Sequence, residues 1–188
     1  MSSHHIVRED QEPALIIDDF QAVGPDLLGE LLEWSPTVVT NTESFRMALQ
    51  AGIKVDFVLA DEPVDIPQDH VKVIPLNGDF LLRALDHLIG EGYRAAYLLS
   101  SRADPSILLQ VAGKMSAALL GNGQRVFAVG SGFSKWKSKG ETVYFYGDTE
   151  IKDVHGLAPV EANRYVVESD GLCTVYFKGA YGLIGEQL

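Results

Sequence analysis

Cys173 is the only cysteine in this 188-residue chain, which excludes an internal disulfide and points to a reducing setting. Basic residues are also scarce: 15 Lys and Arg stand against 26 Asp and Glu, a formal net charge of −11. Nucleic acid binding draws on counterion release by Lys and Arg, so no nucleic acid partner is expected, while a small, locally neutralised phosphate ligand remains compatible. Nothing approaches the roughly 20 apolar residues of a membrane span. The first residues carry no apolar signal core either, because Arg8, Glu9, Asp10, Glu12, Asp18 and Asp19 interrupt them. The expected location is cytoplasmic. His4 and His5 are adjacent but have no further ligands beside them, and read as part of a surface amino terminus.

Apolar residues make up 46% of the chain, enough for one good-sized domain or a medium domain plus a small one. Short β-branched runs at Ala14–Ile17, Thr37–Thr40, Asp56–Ala60, Val71–Ile74, Ala95–Leu99 and Arg125–Val129 read as buried strands of a parallel sheet. Helical patterns fall between them. Pro25 suits a first helical position ahead of Leu27, Leu28, Leu31 and Leu32; Asp79 suits a cap for a helix carrying Leu81, Leu85, Leu88 and Ile89. Asp104-Pro105 repeats that grammar before Leu108, Val111, Met115 and Leu119, with Gly92 and Gly121 as stops. The expected class is α/β: a Rossmann-like, mostly parallel sheet with flanking helices over residues 1–130.

From residue 131 to 188 the pattern changes to strands without helices. Glu141–Tyr146, Arg164–Ser169, Leu172–Lys178 and Ala180–Ile184 predict a small all-β, sandwich-like domain. Within it Asp170-Gly171 reads as a two-residue hairpin turn, Cys173 as a packed strand residue, and the basic stretch Lys135–Gly140 as a solvated turn.

Four segments carry more specific information. Thr42-Glu43-Ser44 is followed ten positions after Thr42 by Gly52-Ile53-Lys54-Val55-Asp56, then by a strand ending in Ala60-Asp61-Glu62-Pro63. Asn77-Gly78-Asp79-Phe80 precedes Ala84-Leu85, Ser100-Ser101-Arg102-Ala103-Asp104-Pro105 follows a strand, and Ala162-Asn163 precedes another. In order and spacing the chain resembles the thiamine pyrophosphokinases, over essentially its full length, with the part between Trp136 and Asn163 shortened. The resemblance implies an α/β domain for ATP, a β-sandwich that helps bind thiamine, Mg²⁺ as cofactor, and a homodimer. It further implies Asp61 and Asp79 as metal ligands, Arg102 and Asp104 beside them in catalysis, and Thr42, Ser100, Ser101, Arg102 and Asn163 as contacts to nucleotide or thiamine.

Measured against that pattern the scaffold is kept and the carboxylates are thinned. Thr42, Pro63 and Phe80 stand where the family has aspartates, and Pro105 where it has histidine. Pyrophosphoryl transfer relies on carboxylates that hold Mg²⁺ against phosphate oxygens. The resemblance therefore implies a diverged, catalytically impaired protein that retains nucleotide or thiamine binding. The alternative is an active enzyme making thiamine diphosphate and AMP. A plainer reading stands beside each residue: Asp61 in an Asp-Glu-Pro turn, Asp104 and Thr42 as helix caps, Asn163 as a turn residue.

Overall fold

The computed structural model describes residues 12–188, so His4 and His5 lie outside it. The chain divides at Ser101/Arg102 into two compact units.

The first unit alternates strands and helices: β1 (Ala14–Ile17), α1 (Pro25–Glu33), β2 (Val38–Asn41), α2 (Thr42–Gln50), β3 (Phe57–Ala60), β4 (Lys72–Pro75), α3 (Phe80–Gly90) and β5 (Ala95–Leu99). Its five strands are all parallel, in the order β4-β3-β2-β1-β5. Every residue of β1 and β3 is buried, as fits parallel strands covered on both faces. From β1 the sheet grows outward to β4, and the chain then returns through α3 to set β5 on the other side of β1. α3 holds by its apolar stripe: Leu81, Ala84, Leu85 and Leu88 are buried, each leucine contributing about 2 kcal/mol of transfer free energy. His87 on the same helix meets Phe57 edge-on at 4.7 Å, and burial lowers its pKa. Gly92, at φ 92°, ends the helix as expected.

The second unit contains α4 (Ile107–Val111) and nine strands: β6 (Ser116–Gly121), β7 (Gln124–Gly130), β8 (Phe133–Lys137), β9 (Thr142–Tyr146), β10 (Ile151–His155), β11 (Leu157–Glu161), β12 (Arg164–Val167), β13 (Gly171–Phe177) and β14 (Tyr181–Gln187). Antiparallel β11-β12-β9-β14-β7-β6 form one layer and β10-β13-β8 the other. Val129, Val143, Phe145, Leu157, Val167 and Ile184 of the first layer pack on Cys173, Val175 and Phe177 of the second. Cys173 is the buried strand residue the sequence implied; its thiol faces the Gly156 carbonyl at 3.5 Å, and burial raises its pKa.

Several expectations are corrected here. The helix read from Asp104 to Leu119 ends at Val111, and Ser116–Gly121 is β6, paired antiparallel with β7. Asn122 and Gly123 close that pair as a two-residue turn with φ 52° and 72°, both left-handed, so Gly121 is a strand end and not a helix stop. Asp170-Gly171 is not a hairpin turn: β12 lies in one layer and β13 in the other, and the Asp170 carboxylate accepts from Lys139 N at 2.7 Å. Lys135–Lys137 belongs to β8, and Lys137 is 5% exposed instead of solvated.

Candidate site at the carboxyl ends of the parallel strands

Ligand crevices on open parallel sheets lie outside the carboxyl ends of the strands, at the point where strand order reverses. In the first unit that point falls between β1 and β5, whose ends continue as Asp18-Asp19 and Ser100-Ser101. The two ends are tied together closely. Ser100 Oγ donates to Asp18 Oδ2 at 2.7 Å, and Ser101 Oγ donates to the Asp19 carboxylate. The amides of Asp18 and Asp19 both donate to the Leu99 carbonyl at 3.0 Å. From β2, Asn41 Nδ2 reaches the Asp18 carbonyl at 3.2 Å and its Oδ1 at 3.3 Å, while Ser44 Oγ donates to that carbonyl at 3.0 Å. Three strand ends thus share one hydrogen-bonded knot of small polar side chains around two carboxylates.

Asp18 and Asp19 were noted in the sequence only for breaking a signal core. Two consecutive aspartates directly after the run Ala14–Ile17 were the signal that could have marked them.

The next positions along the sheet hold Thr42 and Asp61. Thr42 is the first residue of α2 and not its cap; the cap is Asn41, whose Oδ1 accepts from Ser44 N at 2.7 Å. Thr42 and Asp61 line one cavity of about 470 Å³ together with Arg46, Glu62, Pro63 and Asp65. Asp61 is exposed, and its Oδ1 accepts from Asn77 N at 2.9 Å, bridging the loops after β3 and β4. Asn77 itself holds a left-handed φ of 46°. Asp79 caps α3 as expected, accepting from Leu82 N at 2.9 Å. Both carboxylates are therefore held by main-chain amides.

Mg²⁺ takes oxygen ligands in near-octahedral geometry, commonly from one or two carboxylates. Pro63 and Phe80 offer no side-chain donor beside Asp61 and Asp79. Among the described residues no group of three or more His, Cys, Asp or Glu is placed to hold a metal ion. No ready-made cluster of protein ligands is present among the described residues, and a Mg²⁺ held here would draw on the second carboxylate oxygens of Asp61 and Asp79, with phosphate oxygens and waters as its other ligands.

The remaining expected site residues belong to the second unit. Arg102 is exposed at its start. Asp104 accepts from Ser106 N at 2.9 Å, so its carboxylate braces the turn before α4 and does not cap the helix directly. Asn163 is exposed in the two-residue turn joining β11 and β12, its carbonyl accepting from Phe145 N at 2.9 Å.

An α/β unit with a mostly parallel sheet, followed by an antiparallel β unit, is the architecture these observations define. Solved structures give it a name: the fold is that of the thiamine pyrophosphokinases. A probable thiamine pyrophosphokinase from Staphylococcus saprophyticus subsp. saprophyticus superposes with a TM-score of 0.66 at 13% identity, covering 93% of this chain and 98% of that one. Thiamine pyrophosphokinase from Bacillus subtilis gives 0.65 at 12% identity, covering 94% and 99%. The yeast enzyme gives 0.66 at 8% identity, covering 94% and 86%. No protein-family model matches the chain, and no curated protein matches it in sequence. No helix among the described residues is long and apolar enough to cross a membrane.

Proposed function

We propose that this protein is a diverged thiamine pyrophosphokinase-fold protein in which pyrophosphoryl transfer is impaired while nucleotide or thiamine binding is retained. One observation carries the reading: Asp61 and Asp79 each spend a carboxylate oxygen on a main-chain amide, of Asn77 and Leu82, and no cluster of three or more His, Cys, Asp or Glu placed to hold a metal occurs among the described residues. Each ~1.4 kcal/mol of lost transition-state stabilisation is tenfold in rate, so an incomplete metal site is expected to cost several orders of magnitude.

In this reading the first unit is a Rossmann-like layer that receives the nucleotide at Thr42, Ser100 and Ser101. Arg102 and Asp104 order its phosphates, and Asn163 contacts thiamine. The protein acts as a cytoplasmic homodimer without nucleic acid or membrane partners. The alternative, an active thiamine pyrophosphokinase using Mg²⁺ and ATP at Asp61 and Asp79, draws support from the cavity that Thr42 and Asp61 share.

AMP release from thiamine, ATP and Mg²⁺ separates the two. A rate at the level of the protein-free blank is expected, together with measurable heats on titration of thiamine, thiamine diphosphate or ATP. Clear turnover that disappears in Asp61→Ala overturns the impaired reading. Calorimetric silence toward all three ligands overturns the retained binding.

A further inference from the structure

At the other end of the parallel strands, α1 carries Leu27, Leu28, Leu31 and Leu32, each half-buried and none fully enclosed. A helix with that much apolar surface normally presses it into the core. Here Leu27 and Leu31 instead line a cavity of about 340 Å³, closed on the sheet side by Leu15 and Tyr97. Such a volume lies within the range of small-ligand sites. Trp34, just past the helix, lines the same cavity while 72% exposed. The only charged groups among its described lining residues are Glu12 and Glu30.

Two aromatic residues, an aliphatic lining and two carboxylates give the cavity a preference for positive charge. Aromatic faces are electron-rich and attract a positive charge, most strongly with the indole of Trp. A carboxylate at the rim adds to that attraction and repels anions. We propose that this cavity binds a small organic cation, an ammonium group on an apolar frame, with Trp34 and Tyr97 against the cation and Glu30 and Glu12 as its counter-charges.

The test uses the full chain with Trp136→Phe, which leaves Trp34 as the sole tryptophan. Choline and its neutral isostere 3,3-dimethyl-1-butanol are titrated in parallel while Trp34 fluorescence is followed, with benzyltrimethylammonium as a larger probe. Saturable binding of the cations, at least about fivefold tighter than the neutral alcohol and weakened by added salt, is expected. Calorimetry should show Trp34→Ala weakening benzyltrimethylammonium by about three- to thirty-fold and Glu30→Gln by about threefold. Glu30→Gln exchanges one exposed helix-surface residue for another good helix former, so a folding defect does not obscure it. Equal affinity for choline and the alcohol overturns the proposal in favour of an apolar-ligand pocket. Unsaturable titrations, or a Glu30→Gln, Glu12→Gln double variant that binds the cations as well as the parent, also overturn it.

Discussion

Replacing Lys137 by methionine removes a buried ammonium while keeping most of the side chain's length. In the β sandwich the Lys137 side chain is 6% exposed, and its Nζ lies 2.9 Å from both Glu141 Oε2 and Glu186 Oε1. It thereby joins β8 of one layer to β14 of the other. Deleting one partner of a buried pair costs about 3–5 kcal/mol when the survivor is stranded. Here the stranding is partial. Glu141 is 43% exposed and returns to solvent, while Glu186 keeps Lys135, 2.8 Å from both its oxygens. The expected loss is therefore about 2–3 kcal/mol.

The pH dependence follows from the same contacts. Burial alone would depress the Lys137 ammonium, but its hydrogen bonds to Glu141 and Glu186 outweigh this and raise it above 10.5. Burial alone would raise Glu186, but hydrogen bonds from Lys135 and Lys137 leave it below 4.5. The Lys137 contribution is fully present below the unfolded lysine value and is lost as pH rises through the raised folded one. That of Glu186 is present above the unfolded carboxylate value and is lost as pH falls through the lowered folded one. The gap between parent and Lys137→Met is thus widest between those limits and narrows on both sides. Urea unfolding followed by Trp136 fluorescence, with Trp34→Phe in both proteins, measures it. A variant within about 0.5 kcal/mol of the parent at neutral pH would show that desolvating these charges cancels their attraction, and would refute the reasoning.

Asp79→Ala should destabilise by about 1 kcal/mol through loss of the α3 cap, with Asp79→Asn within a few tenths of the parent in thermal unfolding by circular dichroism. If asparagine costs as much as alanine, capping is not what the carboxylate does. At Gly182 in β14, an added Cβ would meet three carbons of the Phe177 ring at 2.6–2.7 Å, and Phe177 is 3% exposed. Gly182→Ala should cost about 1–3 kcal/mol in urea unfolding, and Phe177→Leu in the same chain should recover part of it; a neutral Gly182→Ala would mean that the ring has room to move.

What could be read along the chain was local and periodic. The strands at 14–17, 57–60 and 95–99 are apolar runs of four or five residues, and nothing but a buried parallel sheet accommodates them as strands between amphipathic helices. The α3 cap at Asp79 and its stop at Gly92 were visible for the same reason: capping depends on a side chain and an amide three positions apart. The misread segments are those where local chemistry permits two outcomes. Leu108, Val111, Met115 and Leu119 have helical spacing, but Ser116–Gly121 is also a short apolar run, buried at four consecutive positions and paired with β7, and the Asn122-Gly123 turn decides for the strand. Asp170-Gly171 has hairpin composition, yet its flanking strands join different layers.

By itself the sequence determined the α/β character of the first hundred residues, the β character of the last seventy or so, and the spacing that marks the thiamine pyrophosphokinase fold. It did so because burial periodicity, caps and short motifs are encoded within a few neighbouring residues. The tertiary structure alone decided that Asp18 meets Ser100, 82 positions away, and that Asp61 is held by Asn77. It also decided that Lys137, read as solvated, is buried between two glutamates. Those contacts depend on strand order and on which sheet a strand joins, quantities set by packing over the whole unit and written at no single position.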